Sequence, residues 1–383
     1  MLTILIFIVL LGLLVFVHEL GHFVVARRNG IKVDEFGFGF PPRLIGVVKD
    51  VETGRYKIVW GSQESDSPHT IYSFNWLPLG GFVRIKGEDG QNDDPDSFAK
   101  KSAWVRVKVL AAGVVMNMLF AWFLITTVFT LGLPQPIDSS QRAAYSDVKI
   151  QILEVKKGTP AEAMGLQLGD EILTIAGAPI TTLEQVSGII TDHRGQMLEM
   201  RINRLGKEMV LSGMPRTEYP ASEGSLGISF SETATVSYPW YESIYQGAVA
   251  TYNITLAILG AFGSMLAGLF GAGTGAPVDV TGPVGIVYLT KQMSDLGLAY
   301  LLQFAALLSI NLAIINVLPI PALDGGRILF ILIEKLKGSP IRRKTEGMIH
   351  QIGFMLLLLL MVVITVRDFS TFRLLEKIGG LFS

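Results

Sequence analysis

One stretch constrains this chain more than any other: "VFVHELGHFVVARR", residues 15–28, places two histidines and a glutamate in an apolar run that starts at Leu2. Roughly 20 apolar residues in helical form cross a bilayer, and a polar group in hydrocarbon is costly unless something satisfies it. His18, Glu19 and His22 therefore need a partner. On a helix, residues four apart differ by about 40° of rotation and one turn of rise, so both imidazoles can face one ion. A divalent zinc ion would satisfy both. Glu19, beside the first imidazole, is placed to take a proton from zinc-held water and pass it to a leaving amine. In a soluble chain His-Glu-x-x-His arises by chance about as readily as for metal, but three ionisable groups at helical spacing inside a membrane segment are expensive without a function.

Composition agrees with a membrane setting. Of 383 residues, 50% are hydrophobic and 17% charged, which implies an integral membrane protein with a soluble part. A net charge of −1 offers no basic excess for nucleic acid, so no nucleic-acid partner is expected. The absence of cysteine excludes disulfides, thiolate nucleophiles and cysteine metal sites, leaving nitrogen and oxygen to hold any metal. Four apolar segments, about 2–25, 105–132, 298–320 and 349–366, are long enough to span. The first lacks a basic leader and a small-residue cleavage site before Arg27, so it is expected to stay as a membrane helix.

Lysine and arginine set the orientation, because they accumulate in cytoplasmic loops near membrane ends. Arg27, Arg28 and Lys32 follow the first span; Lys100, Lys101, Arg106 and Lys108 precede or enter the second; Arg342, Arg343 and Lys344 lie between the last two. All share one side if the N-terminus is outside and 133–297 is outside, which puts His18 and His22 near the cytoplasmic end of their helix.

A catalytic zinc takes a third protein ligand and keeps one position open for water. His69, His193, His350 and Asp324 are candidates. The third span runs from outside to inside, so Asp324, in "NVLPIPALDGGRILF", arrives near the depth of the two histidines. Pro319 and Pro321 interrupt the helix there, and Gly325 and Gly326 allow close backbone approach, which a bilayer tolerates only where the backbone is buried in protein or lines a cavity. Asn311 and Asn316 are placed to bond that freed backbone or an extended substrate, or else to join helices. The plain alternative for Asp324 is a cap for the helix that follows.

Together "HELGH", "NVLPIPALDGG" and "GDEILTIAGAPI", with "GFGFPP", "LPLGGFVRIKGE", "AAGVVMNMLFAW" and "TGPVGI" in the same order, resemble the bacterial site-2 protease family of intramembrane zinc metalloproteases. The resemblance covers essentially the whole chain. It implies one zinc per chain held by His18, His22 and Asp324, with Glu19 as catalytic acid and base and Asn316 holding substrate backbone. It implies substrates that are single-span membrane proteins already shortened by another protease, such as anti-sigma factors, or remnant signal peptides. The location implied is the bacterial cytoplasmic membrane.

The fold expected is a multi-pass α-helical membrane protein of about four spans with a membrane-associated β-hairpin loop and one extracytoplasmic PDZ domain. The division is a first helix at 1–27, a cytoplasmic or reentrant β-loop region at 28–104, a second helix at 105–132, the PDZ domain at 147–232, a third helix at 297–326 and a fourth at 348–367. Short apolar runs with turn signals over about 148–232 read as β-rich, and "GTPAEAMGLQLGDEILTIAGAPI" resembles a bacterial PDZ domain with helices near 161–164 and 183–191. Such folds take extended peptides by strand addition, so a substrate tail is the expected partner, held there or excluded by bulk.

"HTIYSFNWLPLGGFVRIKGE" alternates aromatic and aliphatic residues about Pro78, Gly80 and Gly81, a hairpin whose edge suits an unwound substrate, Gly80 and Gly81 included, or an ordinary surface hairpin. The acidic run that follows lacks EF-hand spacing and reads as a solvated loop. Segment 240–275 is apolar but has polar residues early and many glycines, and is expected to lie at the lipid interface, since one more span would put Asp324 on the wrong side of the membrane from His18. The reading is an intramembrane zinc endopeptidase. The alternatives are a catalytically silent PDZ scaffold with a structural metal and a metal transporter, against which stand an intact Glu19 and the scarcity of further ionisable groups in the spans.

Overall fold

The computed structural model describes residues 2–61, 63, 67–88, 94–138, 140, 142, 145, 147–220, 223–269, 281–339 and 341–371. Residues 270–275 of the expected interfacial segment, and residues 89–93 of the acidic run after Lys86, lie outside them. In chain order the first elements are α1 (Leu2–Arg28), β1 (Val33–Lys49), β2 (Tyr56–Trp60), β3 (Ile71–Ile85), α2 (Ala103–Leu131) and β4 (Leu133–Pro136). Next come β5 (Val148–Val155), α3 (Pro160–Met164), β6 (Glu171–Ile175), β7 (Ala178–Pro179), α4 (Leu183–Asp192), β8 (Leu198–Arg204), β9 (Lys207–Gly213) and β10 (Ile228–Val236). The chain continues with α5 (Trp240–Leu269), α6 (Pro283–Leu296), α7 (Leu298–Val317), α8 (Asp324–Lys337) and α9 (Arg343–Thr371). Two compact units result, Met1–Thr127 with Ile244–Ser383, and Val128–Ser243.

The first unit is built for lipid. Among the described residues, five helices are long and apolar enough to cross a membrane: Leu2–Arg28, Ala103–Leu131, Trp240–Met265, Leu298–Val317 and Lys344–Phe369. Along α9, Met355, Leu356, Leu359, Leu360, Val362, Val363 and Val366 are all more than half exposed. Water would not tolerate an apolar face of that extent, and hydrocarbon does. The chain is a multi-pass membrane protein. By length and composition α5 stands with the four expected spans rather than apart from them. Its single charged residue is Glu242, so it lacks the strongly charged face that holds a helix flat at an interface.

The small sheet of this unit folds back on itself. Phe36 of β1 pairs with Tyr72 on one side and Val83 on the other, because both arms of β3 flank the first half of β1. The second half of β1 pairs with β2, Ile45 opposite Trp60 and Lys49 opposite Tyr56. The outermost arm, Gly81–Ile85, is thus the one opposite β2, and β3 packs along α1. Arg43 donates to both carboxylate oxygens of Glu35, at 2.9 and 2.7 Å, across the turn of β1. Burial pushes the Glu35 carboxyl up, and the paired guanidinium outweighs it, holding the group below its ordinary value. Tyr56, Ile58, Trp60, Tyr72, Phe74 and Trp76 are exposed, an aromatic display of the kind that settles at a membrane–water boundary.

The second unit follows the ordinary rule of β-structure. Its antiparallel sheet has the order β4-β10-β5-β6-β8-β9, with β7 on β6. Leu198, Met200 and Ile202 of β8 point inward and are fully buried while Glu199 and Arg201 point out, the period of two that a half-buried strand requires. They pack with Ile150, Ile152, Ile172, Ile175, Val186 and Ile190, so α4 closes the core. Thr182 starts α4 with a capping box: Gln185 N donates to Thr182 Oγ1 at 3.4 Å, and Thr182 N to Gln185 Oε1 at 3.2 Å. Asp170, fully buried, accepts from Arg204 Nε and Nη2, both at 2.7 Å, and pins the turn before β6 to the end of β8.

Candidate metal centre

Two glycines bring the first two helices into backbone contact. A Cβ on Gly21 would lie 2.4 Å from the Ala112 carbonyl oxygen, and a Cβ on Gly113 would lie 2.5 Å from His18 Cε1 and 2.6 Å from His22 Nε2. The absence of a side chain at 113 is therefore what leaves room for the two imidazoles between α1 and α2. Both are buried, each 6% exposed, with ring centroids 4.7 Å apart. Four-residue spacing on α1 aims their Nε2 atoms at each other, 3.1 Å apart.

Asp324 is delivered from the other end of the unit. After α7 stops, Pro319 and Pro321 prevent its continuation, and Ala322 adopts a φ of 81°, a left-handed conformation uncommon for a residue with a Cβ. Ala322 N donates to His350 Nδ1 of α9 at 2.8 Å, fixing that turn. A Cβ on Gly325 would lie 2.2 Å from the Leu318 carbonyl oxygen and one on Gly326 2.3 Å from that of Ile320, so the two glycines let α8 start directly against the end of α7. Arg106 of α2 donates to Glu334 at 3.1 Å, and Arg327 pairs with Glu88, so α8 is held at two further points. The cap position of α8 belongs to Leu323, with no side-chain cap bond. The Asp324 carboxylate instead faces the histidines, at 3.0 Å from His18 Nε2 and 3.4 Å from His22 Nε2.

These three atoms fit a zinc ion. Ligand bonds of about 2.0–2.1 Å in a tetrahedron place neighbouring donors about 3.3–3.4 Å apart; the observed edges are 3.0, 3.1 and 3.4 Å. Two imidazoles and one carboxylate are the donor set of a catalytic rather than a closed structural site, which would take four protein ligands. Among the described residues, His18, His22 and Asp324 form the one such group of three or more. His22 Nδ1 donates to the Val109 carbonyl oxygen at 2.8 Å, which fixes the tautomer that leaves Nε2 with its lone pair.

The remaining sequence candidates fall into place around this triangle or away from it. Glu19 is half-buried on α1 beneath β3, where a Cβ on Gly81 would lie 3.2 Å from Glu19 Cβ and Cγ. A Cβ on Gly80 would lie 2.7 Å from Val15 Cγ1, and Gly80 has a φ of 91°. Both glycines thus serve the close passage of the strand over α1, beside Glu19. Asn316 is half-buried near the end of α7, eight residues before Asp324. Asn311 Nδ2 donates to the Leu307 carbonyl oxygen of its own helix at 3.0 Å, a back-bond open to such side chains in any helix. His350 orients the turn before Asp324, and His193 Nδ1 bonds to Ile189 O at the end of α4; neither they nor His69 join the group. Sequence reasoning left Gly113 and Asn117 of α2 without roles. A buried amide in an apolar helix was the available signal, the same kind of anomaly that marks His18.

Comparison with known proteins meets this geometry. The sequence profile of peptidase family M50 matches residues 6–61 and 57–360. The chain belongs to peptidase family M50. It is 31% identical over 452 aligned residues to zinc metalloprotease RasP of Geobacillus kaustophilus, covering 96% of this chain and 98% of that protein. It is 29% identical over 448 residues to the regulator of sigma-W protease RasP of Bacillus subtilis, with the same coverage. A putative zinc metalloprotease of Clostridium perfringens is 32% identical over 355 residues, covering 93% of this chain and 95% of the other. Membership makes the chain a zinc protease of the site-2 type, a peptide-bond hydrolase acting in the membrane.

Proposed function

We propose that His18, His22 and Asp324 hold one zinc ion and that Glu19 is the catalytic acid and base for cleaving single-span membrane proteins in or beside their membrane segment. The observation that supports this most is the triangle of donor atoms, with edges of 3.0, 3.1 and 3.4 Å, assembled from helices that are 306 residues apart in sequence. Zinc, when bound, supplies Lewis acidity toward the scissile carbonyl and makes water a better nucleophile. Glu19 takes a proton from the attacking water and returns it to the leaving amine. Gly80 and Gly81 let the outer arm of β3 pass close to Glu19, where its edge can pair an extended substrate; Asn316 holds substrate backbone. Among the described residues one group of three metal-ligating side chains forms, which suits hydrolysis rather than transport.

Residues 147–232, within the unit at 128–243, are read as a PDZ domain on the extracytoplasmic face of a bacterial inner membrane, meeting the substrate's outer tail. Two short helices and an antiparallel sheet with a buried apolar core support that reading. On this orientation α7 enters from the outside. The name of the Bacillus relative, a regulator of sigma-W protease, supports anti-sigma factors already trimmed by another protease as the substrate class, with remnant signal peptides as a second.

The test is cleavage of a single-span reporter by purified protein, with zinc measured in each sample. Glu19→Gln is expected to keep its zinc and to lose activity by about 10²–10⁴-fold, whereas His18→Ala should lose both. Cleavage by Glu19→Gln at the wild-type rate would remove Glu19 from the chemistry.

A further inference from the structure

Asn117 lies on α2 one turn beyond Gly113 and is fully buried. Its Nδ2 sits 3.3 Å from His18 Nδ1, while its Oδ1, also buried, has no hydrogen-bond partner. That arrangement conflicts with metal binding. His18 Nε2 is the atom that faces Asp324 and His22, so for Nε2 to offer a lone pair Nδ1 must carry the proton. An Nδ1–H directed at an amide NH₂ sets donor against donor. A half-turn of the amide about its Cβ–Cγ bond brings Oδ1 onto Nδ1–H, resolving the clash and giving the orphaned oxygen a partner at once.

We infer that Asn117 is a positioning residue for the metal: its side-chain carbonyl accepts from His18 Nδ1–H, fixing the ring and the tautomer that ligates through Nε2. The role matches that of the Val109 carbonyl toward His22, so α2 orients both histidines, one through its backbone and one through a side chain. The same residue also ties in the helix that delivers the third ligand, because Ser309 Oγ of α7 donates to the Asn117 carbonyl oxygen at 2.8 Å and is itself fully buried. The face of α2 bearing Gly113 and Asn117 is thus the floor of the site, one position providing space and the other providing an acceptor.

This inference rests on the zinc site proposed above, and zinc stoichiometry separates the two. The experiment measures the zinc dissociation constant of the full-length protein by chelator competition, for wild type, Asn117→Asp and Asn117→Leu, with the melting temperature of each metal-free sample. Wild type without stoichiometric zinc, or His18→Ala that keeps it, overturns the site itself. With that site in place, Asn117→Asp, which keeps the shape and presents an acceptor oxygen whichever way it is turned, is expected to retain or strengthen zinc binding. Asn117→Leu is expected to weaken it by about 10–100-fold, with a cobalt-substituted sample showing an altered visible spectrum. Loss of zinc affinity in Asn117→Asp, which needs no comparison with the leucine variant, would show that the amide NH₂ is the group His18 requires and would overturn the inference. Wild-type affinity in a folded Asn117→Leu would overturn it equally.

Discussion

The α1–α2 pair and the β-rich unit at 128–243 hold together by opposite means. In the β-rich unit the apolar side chains are inside: Leu198, Met200 and Ile202 are removed from water, and that transfer stabilises the sheet. Along α1 the apolar side chains Leu2, Leu5, Val9 and Leu13 are outside, where lipid makes their exposure free of cost and their burial nearly without gain. What joins α1 to α2 is close backbone approach at Gly21 and Gly113 and buried polar contacts from His18 and His22, beside an apolar cluster in which Phe23 and Ala26 of α1 meet Val109 and Leu110 of α2. In one region the large apolar residues carry the fold, and in the other small and polar residues share that task with them. The residues that bind α1 to α2 are also those that shape the metal centre, so packing and chemistry there cannot be separated.

The sharpest way to break this contrast is at Gly113. A methyl group there would stand within 2.7 Å of atoms in both imidazoles, and the neighbours that must give way are the donors themselves. Gly113→Ala is expected to lose zinc and to reduce reporter cleavage by about 100-fold or more, the scale of an ångström-sized misplacement in an active site. Zinc content and cleavage check it, and wild-type values for both would mean that α1 and α2 are not held as closely as the contrast requires. A second substitution probes the other region. Ile202→Ala opens a cavity in an apolar core that contains none of the three donor residues, and should cost that unit about 2–5 kcal/mol. Faster amide exchange across β5, β6 and β8 of the full-length protein would report the loss, with zinc content unchanged.

The same contrast explains what was legible in the sequence. His18, Glu19 and His22 stood out because ionisable groups in a lipid-compatible helix are costly, and Asp324 because the topology fixed its depth. Alternation in "MLEMRINR" similarly showed which face of β8 is buried. Less legible was anything set by a neighbouring helix. Gly113 matters through atoms of α1 that no local pattern predicts, and Asn117 looks in sequence like any polar residue joining helices. Asn311 reads in sequence as a partner for freed backbone, for substrate or for another helix, and no local pattern shows that its amide bonds back to Leu307 of its own helix, a bond that competes at every such position. Early polar residues and the glycines of "ILGAFGSMLAGL" suggested a helix at the lipid interface, and α5 is one unbroken helix; where no water competes for the backbone, glycine breaks a helix less readily.

Gly188 offers the smallest effect and a clean control on Gly113, since both are helical glycines changed by the same single methyl group. It lies inside α4, and a Cβ there would meet nothing within 4 Å. Nothing in the structure therefore requires glycine, and its main consequence is the extra backbone freedom of the unfolded chain. Gly188→Ala is expected to stabilise the unit by about 0.5–1 kcal/mol, read as slower amide exchange in α4 and the strands it covers, with zinc binding and cleavage unchanged. A loss of stability would mean that the open face of α4 is occupied in the working protein, and the methyl group would then be reporting a contact rather than chain entropy. Opposite signs from one substitution in two helices would tie the contrast to what each glycine faces, because helix propensity alone favours alanine at both positions.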